Sequence, residues 1–154
     1  MASPLKDFTA TIVTNTSQYA AGDFIGSAIL TLANVPTVNG GAVLHSLSIT
    51  DLTKQNAVID FLFFTSACSN TTFTNNGALD VDDTDLLTFR GHVNIAAANY
   101  VSLADNSVGT VGNIGLTILC NSASTSLYVV PVLTSGTPTW DASALQVTFN
   151  FIRS

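Results

Sequence analysis

The chain has 154 residues, 47% of them hydrophobic and 9% charged, with a formal net charge of −6 and a mean hydropathy of +0.43. This apolar share excludes a disordered chain, and no run approaches the ~18 apolar residues of a membrane span. Four scattered cations, Lys6, Lys54, Arg90 and Arg153, make no basic stripe for nucleic acid or an anionic membrane.

All ten acidic residues are aspartate. The length fits one domain over residues 1–154, large enough to fold without a disulfide or a metal. Met1-Ala-Ser-Pro-Leu-Lys-Asp lacks the apolar segment of a signal peptide. Strand signals begin at Phe8–Thr14, where Phe8, Ala10 and Ile12 share a face. Tyr19-Ala-Ala-Gly-Asp-Phe-Ile-Gly leads into a second strand that runs through Ala33, with Gly26 marking a bulge or a close approach. Asn34–Gly41 contains Pro36 and reads as a loop.

Ala42–Thr53 is a long strand in which Val43, His45, Leu47 and Ile49 share one face. Ala57–Phe64 is the most apolar segment, with Ile59, Phe61 and Phe63 aligned, and Lys54-Gln-Asn before it reads as a hairpin connection. Thr65–Leu79 is a polar excursion with a turn at Asn75-Asn-Gly-Ala. One short helix is predicted near residues 82–88, capped by Asp82 or Asp83, with Asp85 in its first turn and Leu86 and Leu87 packed inward. Strands resume at Phe89–Ile95, Ile114–Cys120, Leu127–Leu133 and Ala144–Ile152. Gly109-Thr-Val-Gly-Asn-Ile-Gly is too glycine-rich for a solid strand, and Pro131 sets its strand at an edge or beside a bulge. Seven or eight strands with little helix predict an all-β antiparallel sandwich, jelly-roll-like, with a Greek-key barrel as the second choice.

Residues able to do chemistry are sparse. His45 reads as a core-edge histidine and His92, beside Arg90 and Asn94, as part of a solvated face. No Gly-x-Ser-x-Gly elbow or Cys-His signature supports a triad, no glutamate is present for a glycosidase pair, and no phosphate loop occurs, so the expectation is a protein that is not an enzyme and takes no cofactor. Asp80-Val-Asp-Asp-Thr-Asp fails the EF-hand pattern at its sixth and twelfth positions, where Asp85 and Gly91 stand, and reads as a capped turn, with a looser surface Ca²⁺ site as the alternative. Cys68 and Cys120 are too far apart in sequence for a metal or redox pair and read as free thiols, with Cys120 sharing strand parity with Ile118. Trp140 and Tyr128 could line a sugar site, but Trp140 reads first as a cap on one end of the sandwich.

Several segments resemble a family of small virion structural proteins of tailed bacteriophages. They are Tyr19-Ala-Ala-Gly-Asp-Phe-Ile-Gly, Gly40-Gly-Ala-Val-Leu-His-Ser-Leu-Ser-Ile-Thr-Asp, Val58-Ile-Asp-Phe-Leu-Phe-Phe, and the stretch from Asn75-Asn-Gly to Asp80-Val-Asp-Asp-Thr-Asp with Gly91. Ser126-Leu-Tyr-Val-Val-Pro-Val-Leu, Thr137-Pro-Thr-Trp and Leu145-Gln-Val-Thr-Phe complete the set, in the same order along nearly the whole chain. Pro131 departs from the family pattern, which often has an aliphatic residue there. The resemblance implies a capsid decoration, or cement, protein on the capsid exterior that bridges subunits of the major capsid protein, with the chain itself a homotrimer and neither nucleic acid nor membrane as a partner. It implies contacts from the polar strand faces and from an extended N-terminal arm over residues 1–7, with Leu5 and Phe8 as anchors. A carbohydrate-binding β-sandwich or a tail or baseplate component is the alternative.

Overall fold

The computed structural model describes residues 4–37, 40–119 and 125–153. Two antiparallel sheets pack face to face. One carries β1 (Leu5–Ile12), β10 (Leu145–Arg153), β3 (Gly41–Asp51), β7 (Ser107–Val111) and β6 (Tyr100–Ser102) side by side, with β8 (Leu116–Leu119) also paired to β3. The other runs β2 (Leu30–Leu32), β9 (Leu127–Ser135), β4 (Val58–Phe64) and β5 (Phe89–Ile95). Early strands pair with late ones, and most connections cross between the sheets, so the order β1-β10-β3-β7 opposite β2-β9-β4-β5 is a jelly roll. The all-β sandwich expected from the alternation is present.

The core forms where inward parities of the two sheets meet. On β10 these are Leu145, Val147, Phe149 and Phe151, and on β4 Ile59, Phe61 and Phe63, all buried. Phe149 is held edge-on by Phe61 and Phe63, at ring-centroid distances of 5.6 and 5.7 Å. Fully burying each such ring contributes roughly 1.5–3 kcal/mol. Trp140 is buried at one end of the sandwich and meets Tyr19 edge-on at 5.1 Å, as its reading as a cap expects.

Several local expectations are corrected. Lys54-Gln-Asn is not a hairpin, because β3 and β4 lie in different sheets. The buried Asp51 carboxylate organises the crossing. It accepts from the backbone N–H groups of Thr53, Gln55 and Asn56 and from the Thr53 hydroxyl. The face expected for Val43, His45, Leu47 and Ile49 is also broken. β10 pairs Asn150 with Ser46 but Phe151 with Leu44, so His45 is the extra residue of a bulge. Leu47 and Ile49 point inward while His45 is exposed.

The same bulge divides the flank of β3. β7 pairs with Leu47–Asp51 and β8 with Gly41–Leu44, and the chain crosses the gap through bonds from Ile114 N to His45 O and from Gly115 N to Leu44 O. The glycine-rich stretch is thus partly strand. A Cβ at Gly109 would lie 2.9 Å from Ile95 Cδ1 and 3.1 Å from Ile49 Cγ2, so glycine lets the core isoleucines pack closely against the strand there. Pro131 sits in a central strand in regular register with Phe61, neither at an edge strand nor beside a bulge, and is tolerated because β2 pairs with β9 only as far as Val129. Its carbonyl accepts from Ile25 N, and the side that lacks an N–H faces a segment joined to β9 beside Pro131 by a single bridge, Phe24 to Val132.

The predicted helix is a single turn, α1 (Asp83–Leu86), capped by Asp82, whose side chain accepts from Thr84 N at 2.8 Å. Its inward residue is Asp85, not the two leucines. The Asp85 carboxylate accepts from Asn70 N at 3.0 Å and from the Thr71 hydroxyl at 2.7 Å. Those donors hold the acidic side of the turn against the chain and rotate Leu86 and Leu87 into solvent.

Candidate functional site

Paired residues in antiparallel strands share a face, so the ladder gives the outer surface of the six-stranded sheet row by row. One row is Leu5, Ile152, Val43 and Thr117, with Leu119 at the next outward position. The next is Asp7, Asn150 and Ser46, followed by Thr9, Thr148, Ser48 and Thr110. The last is Thr11, Gln146, Thr50, Val108 and Val101. Asp7 is the only charged residue in these rows.

The apolar end of this face is accessible. Leu5 is 64% exposed, Leu119 61% and Ile152 42%. A shallow cavity of about 290 Å³ is lined by Leu5, Asp7, His45, Asn150, Phe151 and Ile152. A second, of about 200 Å³, adjoins it through Ile152 and is lined by Val43, Thr117, Leu119 and Arg153 among others.

The two anchors expected in the N-terminal region separate. Leu5 lies on the outer face, whereas Phe8 has the opposite parity and packs edge-on against Phe151 at 6.1 Å, under the Lys6 ammonium at 5.2 Å. The arm expected over residues 1–7 is, from Leu5 onward, the start of β1, because β10 supplies Ile152, Phe151 and Asn150 as partners for Leu5, Lys6 and Asp7. A deletion of residues 1–7 therefore removes strand pairing and cannot isolate a binding role.

The remaining candidates do not converge. Trp140 is buried and Tyr128 is half-buried on the outer side of β9, packed with a second apolar cluster, so the two build no common platform. His92, Arg90 and Asn94 are exposed, with Asn94 Nδ2 donating to Asp60 across the strand pair at 2.8 Å. Among the described residues no three His, Cys, Asp or Glu side chains gather in a metal-binding group. Cys68 is buried under the loop above β4, and burial pushes its thiol up to about 11. Cys120 lies outside the described residues. Burial likewise raises Tyr100, whose hydroxyl donates to Ala57 O, and Tyr19, whose hydroxyl donates to Asn75 Oδ1.

Two features escaped the sequence reading. The first is the row of Leu5, Ile152 and Val43. It had a signal, because Ile152 is the one apolar residue at the outward parity of β10, after Gln146, Thr148 and Asn150. The second is the apolar knob at the end of α1, where Leu87 is 80% exposed and Leu86 and Phe89 stand beside it. It had none, since only the Asp85 contacts reveal which side of the turn is buried.

No protein-family model and no curated protein sequence matches the chain. Among solved structures, a chain titled desmodium yellow mottle tymovirus is similar at 10% identity over 96% of this chain and 85% of that one, with a TM-score of 0.28. A superposition that loose supports no inference about this chain.

Proposed function

We propose that this protein is a structural component of a tailed-phage virion, a decoration protein on the capsid exterior that bridges subunits of the major capsid protein. The observation that carries the reading is the bare outer face of the six-stranded sheet. It is a broad surface of hydroxyl and amide side chains with a single aspartate in its paired rows and an apolar patch at one end. Depletion of charge at the centre with apolar anchors is the composition of a protein-binding surface. Such a face exchanges water for protein contacts at low desolvation cost, and many copies on one shell add their weak contacts through multivalency. The sequence resemblance supports the same role, and jelly rolls serve in viral capsids as well as in lectins, which is analogy at the level of fold. In this reading the protein works by contact, without catalysis or cofactor, and as a symmetric oligomer such as a trimer.

The test is the copy number of the chain in purified phage particles relative to the major capsid protein, by quantitative mass spectrometry. A high, simple ratio is expected. A few copies per particle would move the protein to the tail or baseplate, and absence from the particle would overturn the virion role.

A further inference from the structure

The knob and the apolar cavity lie on opposite sheets of the same molecule, and charges of opposite sign flank them, Asp82 and Asp83 at the knob and Arg153 beside the cavity. Leu86 and Leu87 project beside the exposed Asp82 and Asp83, with Arg90 following on β5. The cavity across Leu5 and Ile152 is lined by His45, has Arg153 beside it, and carries Asp7 on its wall. At about 290 Å³ it has room for the end of a leucine turn.

The knob is not an accident of a loose loop. Asp85 is 4% exposed and tied by its carboxylate to Asn70 and Thr71, and Arg90 Nη1 donates to Phe89 O at 2.9 Å. A turn fixed in this way presents two leucines to water with little ordering left to lose on binding, which is what a docking anchor requires.

We propose that the Leu86–Leu87 knob of one copy docks into the Leu5–Ile152 cavity of a second copy, making a head-to-tail contact. Asp82 and Asp83 then approach Arg153 of the second copy, and Arg90 approaches its Asp7. Both charge pairings favour this orientation, although a net charge of −6 on each copy otherwise opposes self-association. Because the two contacting surfaces differ, the contact is heterologous, and repeating it closes a ring if the rotation allows. This inference goes beyond the virion reading and stands without it, since it concerns the purified chain alone.

Sedimentation equilibrium of the full chain tests it, with Leu87→Asp as the knob variant and Ile152→Asp as the cavity variant. The wild type is expected to be oligomeric at physiological ionic strength, where the repulsion between copies is screened. Each variant alone is expected to have its dissociation constant raised by about tenfold or more. An equimolar mixture of the two is expected to form a heterodimer and stop there, because each variant retains the surface the other lacks. A monomeric wild type, either variant associating like the wild type, or a mixture that stays monomeric would overturn the contact. Circular dichroism checks folding, and Leu87→Ser with Ile152→Thr repeats the mixing test if an aspartate variant unfolds.

Discussion

On the four-stranded sheet, the outward side chains of Leu62, Phe64 and Val130 lie beneath Phe24, Phe73 and Cys68. On the six-stranded sheet the outward row of Thr9, Thr148, Ser48 and Thr110 meets solvent. The covering layer is the polar excursion after β4, stitched to the segment before β2 by bonds from Phe24 N to Gly77 O and from Leu79 N to Gly22 O. Asn75 pins the same layer, accepting from the Tyr19 hydroxyl and donating to Val13 O. The difference is written in the strands. β4 is apolar at both parities apart from Asp60, as a strand covered on both faces tends to be, whereas β10 alternates until Ile152. Among the described residues, one outer face is closed by the protein's own chain and the other is left bare.

Breaking the covered face should have the largest effect. Phe64→Ala removes a buried ring that meets Phe89 edge-on at 5.7 Å, and should cost about 3–5 kcal/mol in urea unfolding. Asp85→Ala leaves the Asn70 and Thr71 donors without their acceptor and should cost about 2 kcal/mol. It should also release the knob, so that association weakens while Leu87 itself is unchanged.

A pH series sharpens the comparison further, because the Cys68 thiol belongs to the covered side. Its folded-state pKa is about 11 against an ordinary 9.0, so folding favours the neutral thiol. That contribution is intact below pH 9 and is lost as pH rises from 9 through about 11. Thermal melts should therefore fall over that window, and Cys68→Ala should flatten the first part of the fall. The residual decline belongs to Tyr19 and Tyr100, both raised from 10.0 by burial. The smallest effect is expected on the bare face. Thr148→Val loses only an exposed hydroxyl bond to Thr9 and should change stability by less than about 0.5 kcal/mol, and a large loss there would mean that the bare face also holds the fold together.

Much of the sandwich was legible because period two is a strong signal. β5 was read at its observed limits, and the last strand was displaced by one residue. Failures came where a buried carboxylate or a single inserted residue overrode the pattern. Asp51 turned an apparent hairpin into a crossing between sheets, and Asp85 reversed the expected packing of Leu86 and Leu87. The bulge at His45 flipped parity within β3. β6 and β7 went unread because each is short and Gly109 masks a packing requirement as a turn signal. Of the contact surface, Leu5 was named from sequence, but its partners Ile152 and Val43 become neighbours only through pairing between distant strands.

The pairing of Leu5 with Ile152 also governs how the protein is made. β1 cannot find its partner until β10, the last of the described strands, has left the ribosome, and β10 seats β1 on one side and β3 on the other. Folding should be slow for a chain of this size, because closing loops of that span precedes most of the reward for pairing. In the interval, strands that wait for β10, such as Gly41–Asp51, stand exposed and prone to aggregate, so yield on expression should depend on temperature and chaperone supply more than the stability of the finished fold would suggest.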